Sequence, residues 1–147
     1  KAVSAEHLLA TGDDNLRALA RAGVVAVLLP GTALSLKKPF ARARTMIELG
    51  VPVALATDCN PGSCYCESMP LALALAVLKM NLSPEEALTA ATLNAAYAMG
   101  LADKVGSLAV GKQADFLLLD GASPAVVAYR LGLCPVIGVY KKGERLC

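Results

Sequence analysis

The chain has 147 residues, of which 56% are hydrophobic and 4% aromatic, and its formal net charge is +2. A charge this small, together with scattered basic residues and few aromatic side chains, argues against a nucleic-acid-binding protein. The sequence contains no run of about 18 uncharged apolar residues, so a membrane span is not expected.

The first part of the chain predicts strands that alternate with helices. Apolar segments predict three strands, over residues 3–9, 24–29 and 51–57. Helices are predicted over 14–22, with Thr11, Asp13 or Asp14 as the N-cap, and over 40–49, with a loop from Pro30 to Pro39 between strand and helix. Repeated strand-helix units with apolar strands indicate a parallel sheet covered by helices.

The second part of the chain predicts a different organisation. Residues 68–80 are apolar almost all round, which predicts a buried helix, and Ser83-Pro84 begins a further helix that ends at Gly100. Short strands are predicted at 107–108, 114–120 and 136–141. We therefore expect an α/β unit over residues 1–104 and a small β unit over residues 105–147.

The predicted parallel sheet is too small to stand alone. A closed parallel barrel needs about eight strands, and three strands in an open sheet would expose two unpaired edges. The chain also begins at Lys1 without a Met. We therefore expect it to be a piece of a longer protein.

Asp58 is the first candidate for a functional group. It follows the apolar run at 51–57 and precedes the turn-forming sequence Asn60-Pro61-Gly62-Ser63. A carboxylate at the carboxyl end of a buried parallel strand lies where α/β enzymes place their chemistry, which indicates a metal ligand and proton acceptor. The alternative is a turn former, because Asp also favours turns. Gly62 would let a ligand approach the backbone, and Asn60 and Ser63 offer hydrogen-bonding groups.

His7 is the one histidine of the sequence. A histidine after a short strand is either structural or part of a site at the same sheet edge as Asp58. These two residues could not form a catalytic zinc site by themselves, because such a site usually takes three protein ligands. The remaining ligands would have to come from outside this chain, or the chain binds no metal.

The cysteines are an odd-numbered set, at positions 59, 64, 66, 134 and 147. No secretory pattern accompanies them, so reduced thiols in the cytoplasm are expected. Cys59, Cys64 and Cys66 could also be read as a thiolate metal site, but their spacing is not that of a structural zinc finger.

Two segments resemble a known family. Residues 54–63 read Ala-Leu-Ala-Thr-Asp-Cys-Asn-Pro-Gly-Ser, and residues 105–116 read Val-Gly-Ser-Leu-Ala-Val-Gly-Lys-Gln-Ala-Asp-Phe. The first is similar to the T-D-x-N-P-G-S motif after the eighth barrel strand of the imidazolonepropionases of histidine degradation. The second is similar to the return of the wider amidohydrolase superfamily into its small β-sandwich, and residues 92–98 between them also fit.

The resemblance implies a fold and a reaction. The fold would be the C-terminal part of a (β/α)8 TIM-type barrel, about three βα units, followed by part of a small β-sandwich. The reaction would be hydrolysis of the cyclic amide of 4-imidazolone-5-propanoate to N-formimino-L-glutamate. It would require one divalent metal, Zn or Fe, in the full-length enzyme, and related enzymes are commonly homodimers.

The resemblance also assigns roles to residues. Asp58 would bind the metal and take a proton from its water, and His7 would contact the substrate and stabilise charge at its carbonyl. Asn60, Gly62 and Ser63 would hold the substrate and the product. The family's His-x-His motif and its further metal-binding histidine have no counterpart here, so the chain alone is expected to hold no metal tightly and to be inactive.

Two other hypotheses remain open from the sequence. The chain could belong to another cyclic-amide hydrolase or a deaminase of the same superfamily, if Asn60 and Ser63 only form a turn. It could also be a non-catalytic scaffold domain that shares the half-barrel shape.

Overall fold

The structure, a computed structural model, describes residues 2–147 and contains two three-stranded sheets. The strands are Ser4–Glu6 (β1), Val25–Leu28 (β2), Val53–Leu55 (β3), Phe116–Leu119 (β4), Val136–Lys141 (β5) and Glu144–Arg145 (β6). The first sheet has the order β1-β2-β3 and is parallel, whereas the second has the order β4-β5-β6 and is antiparallel. A mixed α/β chain was predicted and is confirmed.

The parallel sheet forms as predicted. Its register places Ala26 of the central strand opposite Ala5 on one side and Val53 on the other. The whole of β3 is buried, and β2 is buried at three of its four positions. Parallel pairing brings the carboxyl ends of the three strands to one edge, and this edge carries both His7 and Asp58.

Seven helices accompany the strands within residues 2–147: Asp13–Ala22 (α1), Pro30–Ser35 (α2), Ala43–Glu48 (α3), Met69–Met80 (α4), Pro84–Ala91 (α5), Leu93–Ala98 (α6) and Val126–Tyr129 (α7). The N-cap of α1 is Gly12 without a side-chain cap, so the predicted caps Thr11, Asp13 and Asp14 are wrong. Gly23 ends α1 in a left-handed conformation. In the described part of the chain, no helix combines the length and the apolar character needed to cross a membrane.

The predicted loop after β2 is wrong, because α2 begins at Pro30. The fixed φ of proline suits the first helical position, and its missing N–H would have no intrahelical partner there. The Pro-Gly pair therefore starts a helix directly at the strand end. This turn brings Thr32, on the first turn of α2, close to the edge that carries Asp58.

Helices α4 to α6 cover the sheet, and local signals explain their beginnings. Ser68 caps α4 by accepting a hydrogen bond from the Leu71 N–H, and Ser83 and Glu86 form a reciprocal capping box on α5. The single helix predicted over 87–99 is wrong, because the backbone breaks at Thr92 and separates α5 from α6. Both α5 and α6 pack against β3.

The antiparallel sheet agrees only partly with the prediction. Strands β4 and β5 lie within or at the predicted ranges, and the stacked rings of Phe116 and Tyr140 pair across them with centroids 4.4 Å apart. Residues 107–108 are not a strand. The short strand β6 and the short helix α7 were not predicted, because each is only about one turn or one residue pair long and lacks periodicity.

The two sheets are joined through helices rather than through strand pairing. Helix α7 packs against α4, and Gly106 lies against α6, where an added Cβ would come within 2.7 Å of the Ala96 Cβ. The largest side chains of the shared core are apolar and come mostly from the parallel part: Leu16, Leu28, Met46, Leu55, Leu73, Met80 and Leu82.

Candidate active site

The carboxyl edge of the parallel sheet brings the two predicted catalytic residues together. His7 follows β1 and Asp58 follows β3, and the His7 Nε2 lies 3.9 Å from the Asp58 Oδ2. This distance is too long for a direct hydrogen bond. The carboxylate is 27% exposed and the imidazole 45% exposed, so neither side chain is fully buried.

The backbone at this edge adopts an uncommon conformation. His7, Leu8 and Asp58 have φ values of 63°, 53° and 55°, in the left-handed region that side chains other than glycine rarely adopt. Such a conformation costs on the order of 1–3 kcal/mol per residue, and it concentrates at functional sites. The same conformation turns the chain sharply after β1 and after the end of the β3 segment.

Thr32 holds the carboxylate of Asp58 in place. Its Oγ1 donates a hydrogen bond of 2.6 Å to the Asp58 Oδ2. Thr32 is 4% exposed and is the one buried polar residue among residues 2–147. Sequence reasoning missed it, although its position just after a predicted strand was an available signal. Asp58 Oδ1 accepts no hydrogen bond from the described residues.

The loop after Asp58 is organised by Asn60. Its Oδ1 accepts hydrogen bonds from the Gly62 N–H at 2.9 Å and the Ser63 N–H at 2.8 Å. Its Nδ2 donates to the Asp58 carbonyl oxygen at 2.6 Å and to the Ser63 Oγ at 3.0 Å. The Asn60 amide therefore fixes the loop that carries Gly62 and Ser63 directly beside the carboxylate.

Cys64 packs beneath this loop. It is 2% exposed, and its Sγ donates to the Thr57 carbonyl oxygen at 3.5 Å. A Cβ added at Gly31 would come within 3.0 Å of the same sulfur, so the loop and the start of α2 are in close contact. All five cysteines are free thiols. Within residues 2–147, His, Cys, Asp and Glu side chains form no cluster of three that could hold a metal ion.

Two carboxylates that lie away from this edge have lowered pKa values. Asp115 accepts hydrogen bonds from the Lys141 ammonium, the Lys142 N–H and the Gln113 amide, which lower its pKa from 3.8 to about 2. The Arg44 guanidinium and the Ser83 N–H lower the pKa of Glu86, which lies on α5, below its ordinary value. Both carboxylates pair with a basic side chain, Lys141 for Asp115 and Arg44 for Glu86, whereas no Lys or Arg pairs with Asp58 among the described residues.

Known sequences are similar to this chain along nearly its whole length. A sequence profile described as the amidohydrolase family matches residues 4–146. The chain is 64% identical over 144 residues to an imidazolonepropionase of Syntrophobacter fumaroxidans, covering 98% of this chain and 34% of that protein. It is 61% identical over 145 residues to an imidazolonepropionase of Desulfotalea psychrophila, covering 99% of this chain and 35% of that protein. The chain thus spans about a third of the length of these curated relatives.

Solved structures of similar fold are known. An adenosine deaminase from Xanthomonas campestris with bound zinc superimposes with a TM-score of 0.87 at 26% identity, over 97% of this chain and 36% of that one. A mutant atrazine chlorohydrolase from Arthrobacter aurescens, complexed with zinc and atraton, superimposes with a TM-score of 0.84 at 25% identity, over 97% of this chain and 35% of that one.

Proposed function

Since the chain belongs to the amidohydrolase family, we propose that it is the C-terminal portion of an imidazolonepropionase. The whole enzyme would hydrolyse 4-imidazolone-5-propanoate to N-formimino-L-glutamate in histidine degradation. The observation that carries this proposal is the 64% identity to an imidazolonepropionase along 98% of the chain, against 26% to the adenosine deaminase of similar fold. The same contrast favours ring opening over deamination.

The fold supports a matching division of the whole enzyme. We propose that residues 1–104 contribute about three βα units of a (β/α)8 barrel and that residues 105–147 contribute part of a small β-sandwich. The parallel sheet of β1 to β3 and the antiparallel sheet of β4 to β6 lie on opposite sides of this boundary. Within the described residues, strand β1 pairs only with β2. The preceding barrel strand would pair with its other edge.

The residues present fit part of a divalent metal site. Asp58 offers an oxygen, Oδ1, that accepts no hydrogen bond within the described chain, on a carboxylate whose other oxygen is already fixed. Carboxylate and imidazole ligands suit both Zn and Fe. Asp58 would hold the ion, and the remaining ligands would come from the rest of the enzyme. The chemistry that such an ion supplies is a hydroxide nucleophile at neutral pH, because coordination lowers the pKa of water to about 7.

The roles of Asp58 and His7 follow from their separation. Asp58 would accept the proton of the attacking water and deliver it to the ring nitrogen that leaves. His7 Nε2, 3.9 Å from the Asp58 Oδ2, would reach the carbonyl oxygen of a substrate that binds beside Asp58. An imidazole N–H placed there would stabilise the negative charge that develops on that oxygen.

The loop of Asn60, Gly62 and Ser63 would bind the substrate and the product. Asn60 sets the shape of this loop through the hydrogen bonds that it accepts from the Gly62 and Ser63 N–H groups. Gly62 permits close approach because it has no side chain of its own. The Ser63 hydroxyl, already within 3.0 Å of the Asn60 Nδ2, offers a further hydrogen-bonding group.

We propose a small-molecule substrate and a homodimer for the whole enzyme, with no nucleic-acid or membrane partner. The cytoplasm is the proposed compartment. The five free thiols of the chain support this, because a reducing compartment keeps cysteines in that state.

The test is an assay of the full-length gene product with imidazolone propionate and with a panel of other cyclic amides and aminated heterocycles. We expect ring opening of imidazolone propionate with the highest kcat/KM, lost on removal of the metal by a chelator and restored by Zn or Fe. Higher kcat/KM on another cyclic amide, or release of ammonia from a heterocycle, would replace this function with another of the same superfamily.

A further inference from the structure

Thr32 is the one buried polar residue of the described chain, and its hydroxyl contacts only one side chain. The Oγ1 donates to the Asp58 Oδ2 at 2.6 Å, and Thr32 is 4% exposed. A buried hydroxyl without a partner costs on the order of 1–3 kcal/mol. The hydroxyl and the carboxylate therefore depend on one another, although 26 positions separate them in the sequence.

The surroundings of Thr32 keep this hydroxyl in place. Pro30 and Gly31, which precede it at the start of α2, are both buried. Gly31 lies so close to the Cys64 Sγ and the Thr57 carbonyl oxygen that an added Cβ would be 3.0 Å and 3.5 Å away from them. The first turn of α2 thus lies in close contact with the loop that follows Asp58, directly after the end of β2.

Asp58 needs such a restraint because its own backbone does not provide one. Its φ is 55°, a conformation that neighbouring contacts must enforce. The Asn60 Nδ2 holds the Asp58 carbonyl oxygen at 2.6 Å, which fixes the main chain. The Thr32 hydroxyl fixes the side chain, since it is the one group in the described chain that donates a hydrogen bond to the carboxylate.

We propose that Thr32 is a positioning residue, whose hydroxyl holds the Asp58 Oδ2 and so aims the Oδ1 at the metal and the reacting water. This inference rests on the proposed function and deepens it. Partners of a metal-ligating carboxylate usually change metal affinity or activity by 10–100-fold when they are removed. Thr32 would act through orientation of Asp58 and would not touch the substrate.

The test compares Thr32→Val, Thr32→Ser and wild type in the full-length protein. Thr32→Val keeps the shape and removes the hydroxyl, and we expect it to retain the metal about 10–100-fold less tightly in chelator competition and to lose kcat with little change in KM. Thr32→Ser keeps the hydroxyl and should restore both values. Thr89→Val is the matched control, because that hydroxyl bonds a helix carbonyl, Glu85 O, away from the site.

Three outcomes would overturn the positioning role: wild-type metal retention in Thr32→Val, a Thr32→Ser variant as defective as Thr32→Val, or an equal defect in Thr89→Val. If Thr32→Val does not fold, Thr32→Ser and Thr32→Ala make a pair that differs by one oxygen atom, and equal metal retention in that pair would overturn the role. Metal retention is measured without substrate, so a failure of ring opening in the wild type would reject the proposed function and leave this comparison intact.

Discussion

Asp58 lies at the carboxyl edge of the parallel sheet, and Asp115 lies just before β4 of the antiparallel sheet. The two carboxylates differ in the number of hydrogen bonds that they accept. Asp115 accepts hydrogen bonds from the Lys141 ammonium, the Lys142 N–H and the Gln113 amide on its two oxygens. Asp58 accepts one hydrogen bond, from Thr32, among the described residues. The Asp115 carboxylate binds the turn at Lys142, and the Asp58 carboxylate stays available to a ligand.

The difference separates a structural carboxylate from a functional one. Donors around Asp115 stabilise its charged form and lower its pKa to about 2, and they tie the turn at Lys142 to the chain before β4. Asp58 has a left-handed backbone with φ 55°, and within the described residues its carboxylate accepts a hydrogen bond from Thr32 alone. Strain combined with unused hydrogen-bonding capacity is typical of a group that is oriented in advance for an external ligand.

Substitution of the two aspartates should change the activity very differently. Asp58→Asn in the full-length protein keeps the shape of the side chain and removes the proton acceptor, so we expect kcat for ring opening to fall by about 10²–10⁴-fold. Asp115→Asn should leave kcat within the error of the assay. Steady-state kinetics of both variants, with circular dichroism to establish folding, measure the contrast. An Asp58→Asn variant with wild-type kcat would show that Asp58 has no catalytic role.

The next effect concerns the joint between the two regions. Gly106→Ala would place a Cβ 2.7 Å from the Ala96 Cβ and 3.1 Å from the Thr92 carbonyl oxygen, at a φ of 93°. We expect a loss of about 2–4 kcal/mol in the free energy of unfolding, from strain and overpacking together. Urea unfolding of the full-length protein measures this loss.

Gly111→Ala is the matched control for Gly106→Ala. Gly111 has nearly the same φ, 89°, but nothing lies within 4 Å of an added Cβ. Backbone strain alone should cost about 1–2 kcal/mol. The difference between the two variants isolates the packing of residue 106 against α6, and equal losses would mean that this packing does not stabilise the joint.

Local sequence signals predicted much of the fold. Apolar runs bounded by glycine and proline located β2 and β3, and Ser83-Pro84 located the start of α5. The errors arose where distant contacts decide the structure. The sequence 87–99 is helical throughout by propensity, yet it breaks at Thr92, whose carbonyl oxygen lies against Gly106. The sequence of that segment does not indicate the contact of Thr92 with Gly106, fourteen positions later.

The candidate site divides in the same way. Asp58 and His7 could be predicted because each follows a strand of a parallel sheet, and parallel strands end at a common edge. Thr32 was missed, because the reading of Pro30-Gly31 as a stop removed the helix that carries it. For Asn60 the sequence indicated hydrogen-bonding capacity, and the structure adds that the amide bonds its own loop. Its contact with a substrate stays a prediction.

The stability contributed by the Asp115 carboxylate should depend on pH. The pKa of Asp115 is about 2 in the folded chain, against an ordinary value of 3.8. A carboxyl group with a lowered pKa stabilises the folded state above its unfolded pKa, and that contribution is lost as the pH falls from about 3.8 towards about 2. Asp115→Asn removes the group, so its stability deficit should be present at pH 5 and shrink as the pH drops through this range.

The experiment is urea unfolding of full-length wild type and Asp115→Asn between pH 5 and pH 2.5, with Asp103→Asn as the control. Asp103 is exposed and accepts no side-chain or backbone hydrogen bond from the described residues, so its variant should show no deficit that depends on pH. The predicted deficit of Asp115→Asn is small because the ion pair with Lys141 is accessible to solvent. A deficit that persists unchanged at pH 2.5 would assign the effect to the shape of the amide and would show that the charge of Asp115 does not stabilise the turn.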